Sequence, residues 1–299
     1  MKAHSPTLSQ ISFKSAQWLI KSWNSSYGSD QTLVHNALAL AGLCSLLDPS
    51  SSSEMEDFIR QLDKEANGFN FACNELVPSL VGASIALKFN ALPVYEAAVD
   101  YFDVLGEIAP ALSSGSNAIL IRLALDGCSD SDTEEAPSSM DINLSLFSSN
   151  KIEHIKQVLE KVEIATQFGT KSCKVSSPSM QLLEGAAIHA LQRYDLPLAM
   201  RCLRARGYMN KQASLGLRSG KSFIQLIQCS DGSFGDFESA IEKMKLEPER
   251  SNSAELHIKL PITFQALWTL AELESTDFRL FQEAFGQIGC SSLIQNSGK

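Results

Sequence analysis

Residues 76–89 read LVPSLVGASIALKF, and as a helix this stretch would be apolar around nearly its whole circumference. The preceding stretch, residues 54–66, reads EMEDFIRQLDKEA and is highly charged. A helix that is apolar on all sides must be surrounded by protein, whereas an amphipathic helix faces water on one side. The two stretches therefore indicate an inner helix packed against an outer helix.

The same alternation continues along the 299 residues of the chain, in which strand patterns are nearly absent. Helical periodicity occurs at 7–25, 31–47, 54–66, 76–89, 94–108, 116–126, 150–168, 179–193, 196–208, 212–228, 236–246, 256–273 and 276–289. Helix pairs of about 45–50 residues are typical of helical repeat folds. We therefore predict an all-α fold, an α/α toroid or a curved stack of antiparallel helix pairs. An irregular helical bundle is the alternative.

The prediction is of one helical domain over residues 1–299, with one stretch that departs from the helical pattern. Residues 127–139 read GCSDSDTEEAPSS and are acidic and rich in serine. Such composition cannot bury enough apolar surface to order the chain. We expect a loose surface loop there.

Composition excludes several classes of function. The net charge of -9 disfavours nucleic-acid binding, because phosphate backbones repel an acidic chain. The longest apolar stretch, residues 33–47, is too short and too polar to span a membrane. The 7 cysteines are scattered without Cys-x-x-Cys pairs, and residues 1–10 lack an apolar signal core. We therefore expect a cytoplasmic protein with reduced thiols, without a membrane span.

The most distinctive stretch is residues 227–236, which read IQCSDGSFGD. It resembles the Gln-x-x-Asp-Gly-Ser-(aromatic)-Gly repeat of terpenoid cyclases and protein prenyltransferase β subunits. The stretch LPITFQALWTLAEL at 260–273 is similar to the inner helix that follows that repeat, so that the resemblance covers about 45 residues. It implies an α/α toroid whose central cavity holds an apolar or isoprenoid-like small molecule. A cyclase-like, isomerase-like or lyase activity in specialised metabolism is then expected.

The residues of this repeat have properties suited to a turn between helices. Gly232 and Gly235 permit tight backbone turns, and Asp231 can accept hydrogen bonds from backbone N–H groups. Phe234 can fill the space between neighbouring helices. A structural role is the simpler interpretation, but Asp231 is also a candidate substrate-binding residue.

The resemblance also suggests where an acid could lie. Class II terpenoid cyclases carry an Asp-x-Asp-Asp motif whose middle residue protonates the substrate. Asp130 and Asp132 match the first two acids, so Asp132 would be the acid and Asp130 its partner, while Thr133 replaces the last one. A catalytic acid needs an apolar cavity to keep its proton. The surrounding acidic, serine-rich stretch is instead typical of a solvated loop.

Zinc-dependent prenyl transfer is not expected. In protein prenyltransferases a zinc-binding histidine stands just before a threonine on an inner helix, but here Ile262 stands before Thr263. No other group of histidines and cysteines has the spacing of metal ligands. We expect no metal site and no cofactor.

A second set of candidates interrupts apolar segments. Glu184 and His189 lie in LLEGAAIHAL and form a second possible catalytic pair. Arg122 and His35 interrupt AILIRLAL and TLVHNALALAGL, and with Trp268 they are candidate substrate-binding residues. Burying an ionisable group is costly unless it is paired or lies at a cavity. These side chains could line a central cavity, or each could be a satisfied group in the core.

Residues 201–218 read RCLRARGYMNKQASLGLR and contain five cations. This stretch could bind an anionic ligand, such as a diphosphate or an acidic carrier protein, or could be an exposed helix face. For the whole chain, the alternative to an enzyme is a non-catalytic scaffold that binds a partner protein on a concave face.

Overall fold

A computed structural model describes residues 6–25, 33–65, 69–71, 75–89, 93–112, 115–126, 139–140, 152–175, 177–209, 214–248, 250–275 and 277–286. The helices are α1 (Leu8–Ser25), α2 (Val34–Leu47), α3 (Ser52–Glu65), α4 (Leu76–Phe89), α5 (Val94–Ile108), α6 (Ser116–Leu125), α7 (Ile152–Thr166), α8 (Ser177–Gln192), α9 (Leu196–Met209), α10 (Leu215–Leu226), α11 (Glu238–Met244), α12 (Ala254–Glu274) and α13 (Leu280–Phe285).

The remaining elements are minor. Short 3₁₀ turns occur at Pro49–Ser51 and Ala109–Ala111. Strand β1 (Ser139–Met140) pairs in parallel with β2 (Lys174–Val175). Because every described element longer than three residues is an α-helix, the predicted all-α class is confirmed. The predicted loop falls, apart from its last residue in β1, outside the described residues.

Six helices contact one another in a closed cycle. Helix α2 packs on α4, α4 on α6, α6 on α7, α7 on α9, α9 on α12, and α12 again on α2. The other long helices flank this cycle: α3 packs on α2, α5 on α4, α8 on α9, and α1 on both α2 and α12. None of the helices in the described ranges is both long and apolar enough to cross a membrane.

Burial distinguishes α2, which belongs to the cycle, from α3, which lies outside it. Every residue of α2 from Val34 to Cys44 is buried, as expected for a helix that is apolar on all sides. Helix α3 buries only Met55, Phe58, Ile59 and Leu62, which form a single stripe at helical spacing. The inner and outer roles predicted for α4 and α3 follow this difference.

One expected inner helix lies elsewhere. By the alternation seen in the sequence, the mostly apolar α8 is of the inner kind and the charged α7 of the outer kind. The cycle nevertheless contains α7 and α9 and not α8. Ile188 and His189 of α8 are exposed. Helix α9 looks polar in sequence because of its arginines, but Arg204 and Arg206 are both buried. Ion pairs and hydrogen bonds make this burial possible, and sequence periodicity does not reveal them.

The turn at residues 231–235 has the predicted conformation. Gly232 and Gly235 have φ angles of 102° and 84°, which favour glycine. Asp231 Oδ1 accepts hydrogen bonds from the backbone N of Ser233 at 2.9 Å and from its Oγ at 2.7 Å. Phe234 is fully buried. The structural roles proposed for these residues therefore match their geometry.

This turn also connects two helices that are far apart in the sequence, α1 and α12. Gln228 Nε2 donates to the carbonyl oxygen of Ile11 at 3.0 Å, and Ser15 Oγ donates to that of Gly232 at 2.8 Å. The backbone N of Phe234 donates to Thr263 Oγ1 at 3.2 Å. The turn thus holds α1 beside α12, where the first and last long helices meet.

Helix α13 packs against the helix cycle through aromatic side chains. It packs on α4 and α6. The ring of Phe281 lies 5.4 Å from that of Trp268 and 5.3 Å from that of Phe168, in edge-on geometry. Phe285 stacks on Phe281, and both are fully buried.

Candidate functional site

A cavity of about 820 Å³ lies within the helix cycle and is partly open to solvent. All six helices of the cycle contribute to its wall, together with the segments that precede α4 and α9. This volume is in the range of small-molecule sites, about 300–1,000 Å³. The cavity is therefore the candidate functional site.

Aromatic and aliphatic side chains form an apolar wall. Phe264 and Trp268 lie one turn apart on α12 and both line the cavity. Phe168 and Leu120 line it from other elements. Because Phe281 is buried behind Phe168 and Trp268, this aromatic wall separates the cavity from α13.

Another part of the cavity wall is charged, and here helix α9 contributes a cation that is paired with a carboxylate. Arg201 lines the cavity and donates two hydrogen bonds to Glu163 of α7, at 2.6 Å from Nε and 2.5 Å from Nη2. The hydrogen bonds to Glu163 raise the pKa of Arg201. This two-pronged geometry is the strongest form of an arginine–carboxylate pair. The charge of Arg201 is therefore neutralised within the protein.

Arg204, one turn further along α9, is held differently. It is only 5% exposed, yet it lines the cavity. Its Nη1 donates to Thr269 Oγ1 at 2.6 Å and to the carbonyl oxygen of Gln265 at 3.4 Å, and both acceptors are neutral. The guanidinium carbon lies 3.7 Å from the centre of the Trp268 ring. Burial lowers the pKa of Arg204, because it penalises the charged form.

Behind Trp268 lies a buried carboxyl group. Glu272 Oε1 accepts hydrogen bonds from Trp268 Nε1 at 2.7 Å and from the backbone N of Leu280 at 3.2 Å. Burial raises the pKa of Glu272, although these donors and nearby arginines act in the opposite direction. Burial also raises the pKa of Tyr208, and the neighbouring Glu272 adds to this effect. Glu272 thereby orients the indole and anchors the start of α13.

At another part of the wall, Glu75 and Asn36 line the cavity. Glu75 Oε2 accepts a hydrogen bond from Asn36 Nδ2 at 2.7 Å and lies 2.9 Å from Nε2 of the buried His35. Partial burial raises the pKa of Glu75, but the hydrogen bonds from His35 and Asn36 outweigh it, so that the pKa is lowered overall. Glu75 is thus an oriented, ionised carboxylate beside the cavity.

The first turns of several helices face the same space. Val77 and Pro78 of α4, Ser116 and Asn117 of α6, and Leu198 of α9 all line the cavity. The amino-terminal end of a helix carries a partial positive charge. Asn36 and Ile152, in the first turns of α2 and α7, line it as well, so the amino-terminal ends of five helices lie beside the cavity.

The predicted substrate-binding residues have different positions. Trp268 lines the cavity, and His35 supports Glu75, which lines it. Arg122 is half-buried on α6 and donates to the carbonyl oxygen of Leu112 at 3.3 Å, without lining this cavity. Asp231 lies in the turn before α11, where hydrogen bonds from Ser233 and the charge of Lys259 outweigh desolvation and lower its pKa.

Of the predicted catalytic residues, the described part of the chain includes Glu184 and His189, and it does not bring these two together at the cavity. Glu184 accepts a hydrogen bond from Arg206 Nε at 2.7 Å, whereas His189 is exposed, and neither lines the cavity. Five residues apart, they project about 140° from each other around the helix axis. Asp130 and Asp132 lie outside the described residues.

Sequence analysis alone missed Glu75, Glu163 and Glu272 as parts of this site. Glu75 stands immediately before the predicted apolar helix 76–89, a position that places a side chain at the end of an inner helix. That position was the available signal for Glu75. Glu163 and Glu272 lie in helical patterns where nothing in the sequence separates a buried carboxylate from an exposed one.

Within the described ranges, no group of three or more His, Cys, Asp or Glu side chains is placed to hold a metal ion. Comparisons with protein-family models, with curated proteins and with solved structures found no match to this chain.

Proposed function

We propose that the chain forms an α/α toroid that binds an apolar, isoprenoid-like small molecule in its central cavity, where it acts as a terpenoid-cyclase-like enzyme. The observation that carries this proposal is a cavity of about 820 Å³ within a closed cycle of helices. Its aromatic wall, which includes Phe264 and Trp268, provides the apolar surface that such a ligand would bury.

The enclosure of the cavity by a cycle of helices favours a small molecule over a partner protein. A scaffold would need an open concave face. Helix α13 packs against α4 and α6, and Phe281 is buried behind the aromatic wall. The space that remains has the size of a ligand rather than of a protein segment with its flanking surface.

The geometry around Trp268 restricts the chemistry. Enzymes that guide carbocations use aromatic faces to stabilise positive charge. Here the guanidinium of Arg204 already lies 3.7 Å from the centre of the Trp268 ring, so a carbocation at this point would meet a positive charge. Cyclase-like chemistry in this cavity would therefore have to form its carbocation away from Trp268. Asp132 and Asp130 remain our candidates for the acid that protonates the substrate.

Ligand binding can be tested by filling the cavity. We expect farnesol, an uncharged isoprenoid alcohol, to bind to the wild type in isothermal titration calorimetry. Leu120→Trp places a larger side chain at the cavity wall and should weaken binding by roughly tenfold or more. The control Leu226→Trp changes a residue that is 81% exposed and should bind like the wild type.

Val77→Trp provides an independent cavity-filling variant if Leu120→Trp does not fold. Circular dichroism checks that each variant keeps its helices. The proposal fails if the wild type binds neither farnesol nor an isoprenoid acid of the same length, or if a folded cavity-filling variant binds the ligand as well as the Leu226→Trp control.

The protonation step has its own test. Asp130→Asn combined with Asp132→Asn should abolish cyclisation of an isoprenoid substrate while leaving farnesol binding in place, because an amide cannot donate the proton. Product formation followed by gas chromatography measures the first effect and calorimetry the second. Turnover retained by the double variant would eliminate Asp132 as the acid.

A further inference from the structure

The wall of the cavity as a whole carries as many acidic as basic side chains, Glu75, Glu163 and Asp195 against Lys156, Arg201 and Arg204. The imbalance is local and lies around Trp268. Arg201, Arg204 and Arg279 lie close to two buried carboxyl groups, Glu163 and Glu272. Arg201 uses Glu163 in a two-pronged ion pair. Only Glu272 then remains for two arginines, and at most one positive charge can be balanced by it.

The two arginines differ in their access to the cavity. Arg279 donates to the carbonyl oxygens of Gly169 at 3.1 Å and Phe278 at 2.6 Å, and it does not line the cavity. Arg204 does line it, while Glu272 accepts its hydrogen bonds from Trp268 and Leu280 and not from Arg204. The unbalanced positive charge is therefore presented to the cavity by Arg204.

Arg204 also keeps donor capacity. Both of its hydrogen bonds in the described part of the chain leave from Nη1, whereas a guanidinium has five N–H donors. A charged group that is buried without an ionic partner is expensive, so it is favoured where a ligand supplies the missing charge. The amino-terminal end of α6, whose first turn contains no acidic residue, adds positive potential on the same cavity.

On these grounds we propose that the ligand is an apolar acid, whose single carboxylate pairs with Arg204 inside the cavity while its hydrocarbon body contacts the aromatic wall. This inference rests on the proposed function, since it concerns the same cavity. One unbalanced positive charge matches a monoanion, and the planar guanidinium fork matches the geometry of a carboxylate. The ligand class is therefore a long-chain or isoprenoid carboxylic acid.

Two probes with the same hydrocarbon body test this inference by calorimetry: farnesoate, which carries a carboxylate, and farnesol, which does not. The wild type should bind farnesoate about tenfold or more tightly than farnesol, because a desolvated charge pair forms only with the acid. Arg204→Met should lose this preference and still bind farnesol. Arg193→Met, which removes an exposed arginine, should keep it.

The possible results are distinguishable. Equal binding of farnesoate and farnesol by the wild type overturns the inference and leaves the proposed function standing, whereas binding of neither overturns both. A preference that survives in Arg204→Met also overturns it. Tighter binding of farnesyl diphosphate than of farnesoate overturns the assignment to a monoanion. If Arg204→Met does not fold, the wild-type comparison of the three probes decides, and Arg204→Lys should retain part of the preference.

Discussion

Two contacts in the helix cycle depend on different interactions. Helices α2 and α4 meet through small residues: Gly42 lies against Ile85, and Gly82 lies against the backbone of His35. Helices α9 and α12 meet through polar groups, with Arg204 donating to Thr269 and Gln265. The first contact depends on close approach of two backbones, whereas the second depends on hydrogen bonding of a buried cation.

This difference suggests that one contact stabilises the fold and that the other is involved in function. A glycine contact excludes solvent and offers nothing to a ligand, so we assign the α2–α4 contact to holding the fold. A buried arginine beside a cavity is an expensive group whose full compensation must come from elsewhere. The α9–α12 contact is therefore the one that we associate with ligand binding.

The largest expected effect tests the close approach of α2 and α4. A Cβ atom on Gly82 would lie 2.8 Å from the carbonyl oxygen of His35. Gly82→Ala should therefore lower the free energy of unfolding by about 3 kcal/mol, because backbone atoms must move apart. Gly106→Ala is the matched control, since nothing lies within 4 Å of the added Cβ.

Urea denaturation of both variants measures this effect. The control should be unchanged or more stable by up to about 1 kcal/mol, because alanine favours a helix over glycine. Equal stability of Gly82→Ala and the wild type would mean that the α2–α4 contact can open without cost, contrary to the role assigned to it.

A smaller effect is expected at the polar contacts of α9. Glu163→Gln leaves Arg201 without its carboxylate and should lower the free energy of unfolding by about 2 kcal/mol, discounted because the Arg201 side chain is 34% exposed. The control is Glu153→Gln, whose partner Lys156 lies on the surface and is 52% exposed. Its removal should cost no more than about 0.5 kcal/mol. Indistinguishable urea midpoints for the two variants would contradict a structural role for the buried pair.

The smallest expected effect is on the pH dependence of stability. The carboxyl groups of the two regions should contribute to it with opposite signs. Glu75, beside α4, has a lowered pKa in the folded state, so it contributes stability that is present above its ordinary pKa of 4.5 and lost as the pH falls below it. Glu272, on α12, has a raised pKa, so its contribution is present below 4.5 and lost as the pH rises through the folded-state pKa.

Melting temperatures of the wild type, Glu75→Gln and Glu272→Gln between pH 3 and pH 8 should show this contrast. The difference between wild type and Glu75→Gln should grow in favour of the wild type as the pH rises through the acidic range. The difference for Glu272→Gln should change in the opposite direction. Parallel difference curves would show that the two carboxyl groups do not occupy the contrasting environments described above.

Much of the helical layout could be predicted from the sequence, for a definite reason. Helices α2 and α4 are apolar on all sides, and periodicity alone indicates that protein surrounds them. The turn at 231–235 was also predictable, because Gly232 and Gly235 are suited to the backbone angles that they adopt. In these cases local chemistry is sufficient.

The candidate site was harder to predict because its residues are distant in sequence. Arg201 bonds to Glu163, which is 38 residues away, and Arg204 bonds to Thr269, which is 65 residues away. No local pattern indicates that Arg204 is buried, while His189, placed in an apolar run, is exposed. A charged residue on a helix can be expected to be exposed only if no other part of the chain provides a partner for it, and the sequence does not show whether such a partner exists.

The sequence by itself determined that the chain is helical, which helices are apolar on all sides, and where the glycine turn lies. These properties follow from side-chain periodicity and backbone preference, which act over a few residues. The tertiary structure decided that α9 replaces α8 in the cycle, that Arg204 faces the cavity and that Glu75 is held by His35 and Asn36. Burial, pairing and pKa shifts depend on which groups meet in space, and that information exists only once the chain has folded.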